Sequence, residues 1–292
     1  MAVEFMRPFI LRNTVTKDLF ADLHIHTHYS DSTSSPEEVV DEAVKNGLSC
    51  IAITDHDVTD GVVPTQEAAR GHHLEVIAGI ELSSEFEGKD IHMLGYFIDI
   101  HQDSLVEKVE LFLQERVRRM KQMIVNLQAV GIKDITFEEA AALTKSRAVG
   151  RAHLAMLLLQ KGHVNSFKNA FEKYLAQGRP GYAPKFKQTP FEAIELIHQS
   201  GGLAVMAHPM LTQKDELIPP LVKGGLDGLE VYYPNCMPTV IEFYKKIAKK
   251  NGLLMTGGSD AHGKAKAHTY VGKEAIPYEL VEKMKARLIT VM

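Results

Sequence analysis

The chain has little cysteine: two in 292 residues, Cys50 and Cys236, far apart and in apolar surroundings. That excludes a disulfide framework and a cysteine zinc knuckle, and leaves buried thiols as the expectation. No apolar run approaches the roughly 18 residues of a membrane helix, and MAVEFMRPFILRNTV at the N-terminus shows no signal-type cleavage site. Cytoplasm is the expected address. There is no excess of basic charge. The formal net charge of −4 argues against an extended nucleic-acid groove or a membrane-binding face, but leaves room for a local basic pocket. Low-complexity segments and internal repeats are absent as well. The remainder is ordinary globular composition, 45% hydrophobic and 24% charged, and suits one large domain with an insertion or two domains.

What stands out is histidine among carboxylates. DLHIHTHYSD, residues 22–31, holds His24, His26 and His28 between two aspartates. On a strand, alternation sets all three on one face. The apolar LFADLHI before it predicts a strand over 19–25. SSPEEVVDEAVKNG then carries helix signals: Ser35 as cap, Glu38 three residues on, Pro36 in the first turn and Gly47 at the end. Apolar runs predict strands at 48–54, 74–82 and 89–98, with a short helix near 64–72.

From 103 the pattern turns helical. SLVEKVELFLQERVRRMKQMIVNLQAVG is long and amphipathic, and TFEEAAALT and GRAHLAMLLLQKG predict two further helices. Residues 103–188 therefore read as a helical insertion, after an extension over 1–18 and a first barrel part over 19–102. Alternation resumes over 189–292. There LAVMAHP, DGLEVYY and LLMTGGSDAH are expected strands, each preceded by a helix, and a last helix falls near 278–289. Strands alternating with helices imply an α/β protein with a parallel sheet or barrel, whose chemistry gathers at the strand C-terminal ends.

Those ends are where the reactive residues fall. His24, His26 and Asp31 follow the first strand, and His56 lies between Asp55 and Asp57 after the second. Glu81 ends the third and His92 lies on the fourth. His208 follows a later strand, and Asp260 and His262 follow the last. Imidazole and carboxylate without thiolate suit zinc, manganese or iron. Nine candidates exceed the needs of one ion. Three ionised carboxylates with six neutral imidazoles carry −3, so two divalent ions bring the site to +1 and three bring it to +3. A phosphate dianion favours the clearly positive site. His28 reads as a neighbour of the ligands, and Asp55 and Asp57 as residues that orient them. His72, His73, His101, His163 and His268 read as surface. His198, late in a helix, faces the C-terminal carbonyls.

DLHIHTHYSD, TDHD, GIELS, HMLGY, AHP and GSDAH, in this order over about 20–262, resemble the polymerase-and-histidinol-phosphatase (PHP) superfamily. The resemblance implies a distorted TIM-like (β/α)7 barrel with two or three metal ions. His24, His26, Glu81 and Asp260 would hold one. Glu81 would bridge to a second, held also by His92 and His208. Asp31, His56 and His262 would hold a third. The family follows its first aspartate with glycine, whereas this chain has Ser32. Ions there would lower the pKa of water and supply hydroxide for in-line attack at phosphorus, with Glu81, His208 and Asp260 at the reacting centre.

VGRAHLAMLLLQKGHV and YLAQGRPGY resemble the branch containing nucleoside 3′,5′-bisphosphate phosphatases and 5′→3′ exoribonucleases. In that branch the insertion caps the site. Gly150 would then bring a helix start close, with Arg151 and His153 donating to phosphate. Lys145, Arg147, Lys185 and Lys187 add positive charge. The expected function is metal-dependent hydrolysis of a small phosphorylated nucleotide or of the 5′ end of a short oligonucleotide. The alternatives are a histidinol-phosphate-type phosphomonoesterase and a non-catalytic metal-binding module.

Overall fold

The structure, a computed structural model, describes residues 19–144, 146–186, 188–266 and 268–291. The extension expected over 1–18, and Lys145 and Lys187, lie outside the described residues. The strands are β1 (Phe20–Ile25), β2 (Cys50–Ile53), β3 (Glu75–Phe86), β4 (Lys89–Tyr96), β5 (Leu203–Met206), β6 (Gly228–Tyr232), β7 (Leu254–Gly257) and β8 (Ile276–Pro277). They form one sheet in the order β7-β6-β5-β4-β3-β2-β1-β8. The sheet curls until the chain after β7 meets β1, where Ile25 bridges Ala261 in parallel and the His26 amide donates to the Ala261 carbonyl at 3.0 Å. A Cβ on Gly258 would lie 2.3 Å from the His24 backbone nitrogen, so only glycine lets the two ends approach this closely. The result is a nearly closed α/β barrel.

It departs from strict parallel alternation at two of the described strands. The short β8 pairs antiparallel with β1. β4 runs antiparallel to both β3 and β5. Only Glu87 and Gly88 separate β3 from β4, both with positive φ (50° and 78°), which is tight hairpin geometry and leaves no room for a crossover helix. The hairpin also lengthens β3, so Glu81 lies within the strand instead of at its end. Because β4 is reversed, His92 near its start pairs with Ser83 and reaches the same end of the barrel as the C-termini of the parallel strands.

Helices α1 (Pro36–Lys45) and α2 (Val62–Ala68) cross between the first strands. Ser35 caps α1 in a capping box with Glu38, as its spacing predicts, and Gly47 follows at φ 71°. Between β4 and β5 come α3 (Asp103–Ala129), α4 (Phe137–Ala141), α5 (Arg151–Gln160), α6 (Phe167–Ala170) with a π turn at Phe171–Leu175, and α7 (Pro190–Gln199). Then follow α8 (Pro209–Thr212), α9 (Ile218–Lys223), α10 (Pro238–Lys250) and α11 (Glu279–Val291).

Helix α3 serves two cores. Its first half buries Leu105, Val109, Phe112 and Leu113 with barrel residues such as Ile80, Met93 and Ile197. Its second half buries Met120, Met123, Ile124 and Leu127 with Leu154, Leu157 and Leu158 of α5 and with Leu175. At 1.5 Å per residue this helix is about 40 Å long, enough to join two packed bodies. A cavity lies where it passes from one to the other.

Candidate active site

All nine candidate ligands converge at one end of the barrel. Glu81, fully buried, is the centre. Its Oε2 lies 3.3 Å from His24 Nε2, 3.2 Å from His26 Nε2 and 3.2 Å from His56 Nδ1. Its Oε1 lies 2.8 Å from His92 Nδ1 and 3.1 Å from His208 Nε2. Asp260 Oδ1 stands 3.3 Å from His26 Nε2, 3.6 Å from His24 Nε2 and 3.4 Å from His262 Nδ1. Asp31 Oδ1 is 3.3 Å from His262 Nε2, and its Oδ2 is 3.9 Å from His56 Nε2.

Seven of the nine donors fall into three overlapping groups, each with its ligand atoms within 4.8 Å of one another: His24, His26 and Glu81; His56, Glu81 and His92; and His26, Asp31, His56 and His262, with Asp260 and His208 in none of the three. The grouping differs from the family expectation by sharing. His26 also belongs with Asp31, and His56 also belongs with Glu81 and His92, because their rings stand side by side with centroids 4.7 Å apart.

Both ring nitrogens of His26, Nδ1 of His56 and Nδ1 of His208 are buried with no hydrogen-bond partner. Buried polar atoms left this way are costly unless something takes their lone pairs. Burial raises a carboxyl's pKa, yet His56, His92 and His24 hold Glu81 well below the usual range against it. Burial likewise opposes ionisation of Asp260, and His24, His26 and His262 outweigh it. Burial disfavours charge on His26, but Asp260 and Glu81 pull that imidazole up to about 10. These are the directions of a buried anionic cluster that calls for positive charge. Divalent cations fit both the unpaired nitrogens and the sulfur-free donor set.

Three residues here hold left-handed backbone without being glycine: Asp57 (φ 57°), His208 (φ 28°) and Asp260 (φ 50°). Each such residue costs about 1–3 kcal/mol and needs its surroundings to hold it. Asp57 accepts from the Ser83 amide at 2.7 Å and from Arg116 Nη2 at 2.5 Å. Asp260 accepts from Tyr233 Oη at 2.7 Å and from Lys266 Nζ. The His208 amide donates to Glu230 Oε2 at 2.7 Å.

Several neighbours differ from expectation. His28 stands three residues beyond the end of β1 at Ile25 and packs its ring on Tyr29, outside the three donor groups. Asp55 binds no imidazole; it accepts from the Thr27 amide and hydroxyl at 2.7 and 2.6 Å and ties down the loop that carries Asp31. Ser32 is not among the residues with positive φ, so the position does not require the family's glycine. His198 pairs through Nε2 with Asp227 at 2.8 Å instead of facing helix carbonyls. His163 pairs with Asp134 at 2.7 Å.

A cavity of about 440 Å³ opens beside this cluster, lined on one side by Asp31, His56, His92 and His208. On the other side the lining includes Arg116, Arg119, Arg151 and Lys185. Gly150 through His153 line it as the N-terminus of α5. His153 Nδ1 accepts from the Gly150 amide at 3.0 Å, and burial lowers its pKa, so the ring is neutral with its proton on Nε2. Arg119 Nε donates to the Ala183 carbonyl at 2.9 Å, while its buried Nη2 has no partner. Burial, then repulsion from Arg151, pushes Arg119 down to about 10. Arg147 faces elsewhere, paired with Asp60 and Glu110 at 3.2 Å each.

The PHP domain family model matches residues 22–257. The chain belongs to the PHP domain family. The 5'-3' exoribonuclease Rnm of Escherichia coli is 34% identical over 248 residues, covering 82% of this chain and 84% of that one. The 3',5'-nucleoside bisphosphate phosphatase of Chromobacterium violaceum is 29% identical over 256 residues, covering 86% and 90%. A crystal structure from Bifidobacterium adolescentis, assigned to the metal-dependent phosphoesterases, superposes with a TM-score of 0.82 at 31% identity over 91% of this chain and 96% of that one. This PHP protein is accordingly a hydrolase of phosphate ester bonds. None of its described helices is long and apolar enough to cross a membrane.

Sequence reasoning missed Tyr233 and Lys266, which hold Asp260, and three further residues of this PHP site. Glu230, fully buried in β6, accepts from His24 Nδ1 at 2.8 Å as well as from the His208 amide. Its signal was a lone carboxylate inside the apolar strand GLEVY. Arg116 and Arg119 line the cavity with Phe112, Met120 and Met123 of the same helix. Their signal was helical spacing: two arginines interrupt one apolar stripe of α3.

Proposed function

We propose that this PHP enzyme removes phosphate from a small nucleotide of the 3′,5′-bisphosphate type or from the 5′ end of a short oligonucleotide. One observation carries the reading: a single cavity joins the histidine–carboxylate cluster to four cationic side chains, three from α3 and α5 and Lys185 from the segment that returns to the barrel. A phosphate over the cluster leaves Arg119 and Arg151 for a second anionic group, while Arg116 and Lys185, paired with Asp57 and Asp90, add positive charge to the same wall. Its size is that of ordinary small-ligand sites. The relatives' names point the same way.

In this reading residues 103–188 are a cap on a barrel made of 19–102 and 189–292. His24, His26, Glu81 and Asp260 would hold one divalent ion, Glu81, His92 and His208 a second, and Asp31, His56 and His262 a third, with manganese, zinc or iron as the candidates. Such ions supply a water-derived nucleophile near neutral pH and offset phosphate charge. The chain's own part is positional. Glu81, His208 and Asp260 surround the reacting centre, and Tyr233 and Lys266 hold one oxygen of Asp260 so that the other faces the histidines. Arg151 and the proton on His153 Nε2 donate to phosphate oxygens at the start of α5. Two free cysteines suit the cytoplasm as the address.

The test is phosphate release, with Mn²⁺ supplied, from adenosine 3′,5′-bisphosphate, adenosine 5′-monophosphate, a 5′-phosphorylated RNA trimer and histidinol phosphate. Preference for the bisphosphate or the trimer is expected. Turnover of histidinol phosphate alone, or no turnover of any of the four by metal-replete protein, overturns the substrate class.

A further inference from the structure

The wall of the cavity carries a feature that phosphate recognition does not use. Phe186, on the segment returning from the cap to the barrel, lines the cavity and is 38% exposed. It packs edge-to-face on Phe112, with centroids 5.9 Å apart and planes at 64°. Lys108 Nζ lies 5.4 Å from the Phe186 centroid and 5.5 Å from that of Phe112. Leu211, three residues after His208, lines the same cavity and is 59% exposed. Open apolar side chains inside a charged cavity lose solvation energy until something flat and apolar covers them.

Resting on the nucleotide reading above, we propose that Phe186 is the stacking platform for the nucleobase, with Leu211 closing on it. The cations take phosphate and sugar-bound charge, which leaves the base for the apolar wall. No asparagine or glutamine is among the described residues lining the cavity. The aromatic wall holds the base by its π-face, which every base presents, so recognition tolerates base identity.

The chain has no tryptophan, so Phe186→Trp installs a single indole at the platform. In metal-replete protein, adenosine 5′-monophosphate and uridine 5′-monophosphate should quench its emission saturably, and ribose 5-phosphate at equal concentration should not. In steady-state kinetics, Phe186→Ala should raise KM for adenosine 3′,5′-bisphosphate about tenfold, with the effect mostly in KM. The loss on ribose 5-phosphate should be at least about fivefold smaller, and Phe186→Trp should restore the nucleotide KM. Equal losses on base-bearing and base-free substrates, or an indole indifferent to nucleotides that the wild-type enzyme hydrolyses, overturn the platform and leave the nucleotide reading standing. A wild-type enzyme that hydrolyses no nucleotide overturns both.

Discussion

Glu230 and His24 form a buried pair in which the carboxylate fixes the tautomer of the imidazole. His24 Nδ1 donates to Glu230 Oε1 at 2.8 Å, which turns Nε2 toward Glu81 and Asp260 as the atom that would hold a metal ion. The other oxygen of Glu230 holds the His208 amide, where the backbone is left-handed. One side chain on β6 thus sets the direction of one histidine and the backbone of another. Glu230→Gln keeps the volume and removes the charge. It should weaken metal retention about 10- to 100-fold, read as metal content after dialysis against graded chelator, with a parallel fall in turnover. Wild-type metal content would show that the pair is structural only.

Glu81 touches five imidazoles, more than any other carboxylate of the site. Both Glu81→Ala and the isosteric Glu81→Gln should lose most activity, about a hundredfold or more. Near-normal turnover by either variant would sink the bridging assignment.

Metal removal should change stability as well as rate. Without cations, the partnerless nitrogens of His26, His56 and His208 and the buried carboxylates stay uncompensated. Exhaustive chelation should abolish activity and lower Tm by about 5–10 °C, and both should return when one of the candidate ions is added back. An unchanged Tm in demonstrably metal-free protein would mean that the cluster is stable unaided.

Arg151 and Arg119 should read the second anionic group. Arg151→Ala and Arg119→Met should each lower kcat/KM for adenosine 3′,5′-bisphosphate by about 10- to 100-fold. Their effect on a simple aryl phosphate should be several-fold smaller. Equal losses on both substrates would assign these arginines to folding of the cap or to the reacting phosphate.

Local rules made much of the protein legible in its sequence. The Ser35–Glu38 capping box, the alternation of strands and helices and the amphipathic span of α3 all depend on residues within a few positions of one another. The reactive residues were legible for a similar reason, since each stands beside or within a short apolar run that can only be a buried strand. The exceptions are instructive. His28 obeys the alternation of His24 and His26 in sequence, but it stands three residues beyond the end of β1 at Ile25 and outside the three donor groups. β4 reads like its neighbours yet runs the other way, because a turn at Glu87–Gly88 reverses the chain.

By itself, then, the sequence determined the kinds of donor, their order along the chain and the end of the barrel to which they belong. Only the tertiary structure decided which donors share, that Glu230 stands behind His24, and that Arg116, Arg119 and Phe186 face the same space as His208. Periodicity places a side chain on a face of its own element. What that face meets depends on how segments 100 or 200 residues apart pack together, and here the closure of the barrel at Gly258 and the passage of α3 from one core to the other settle it.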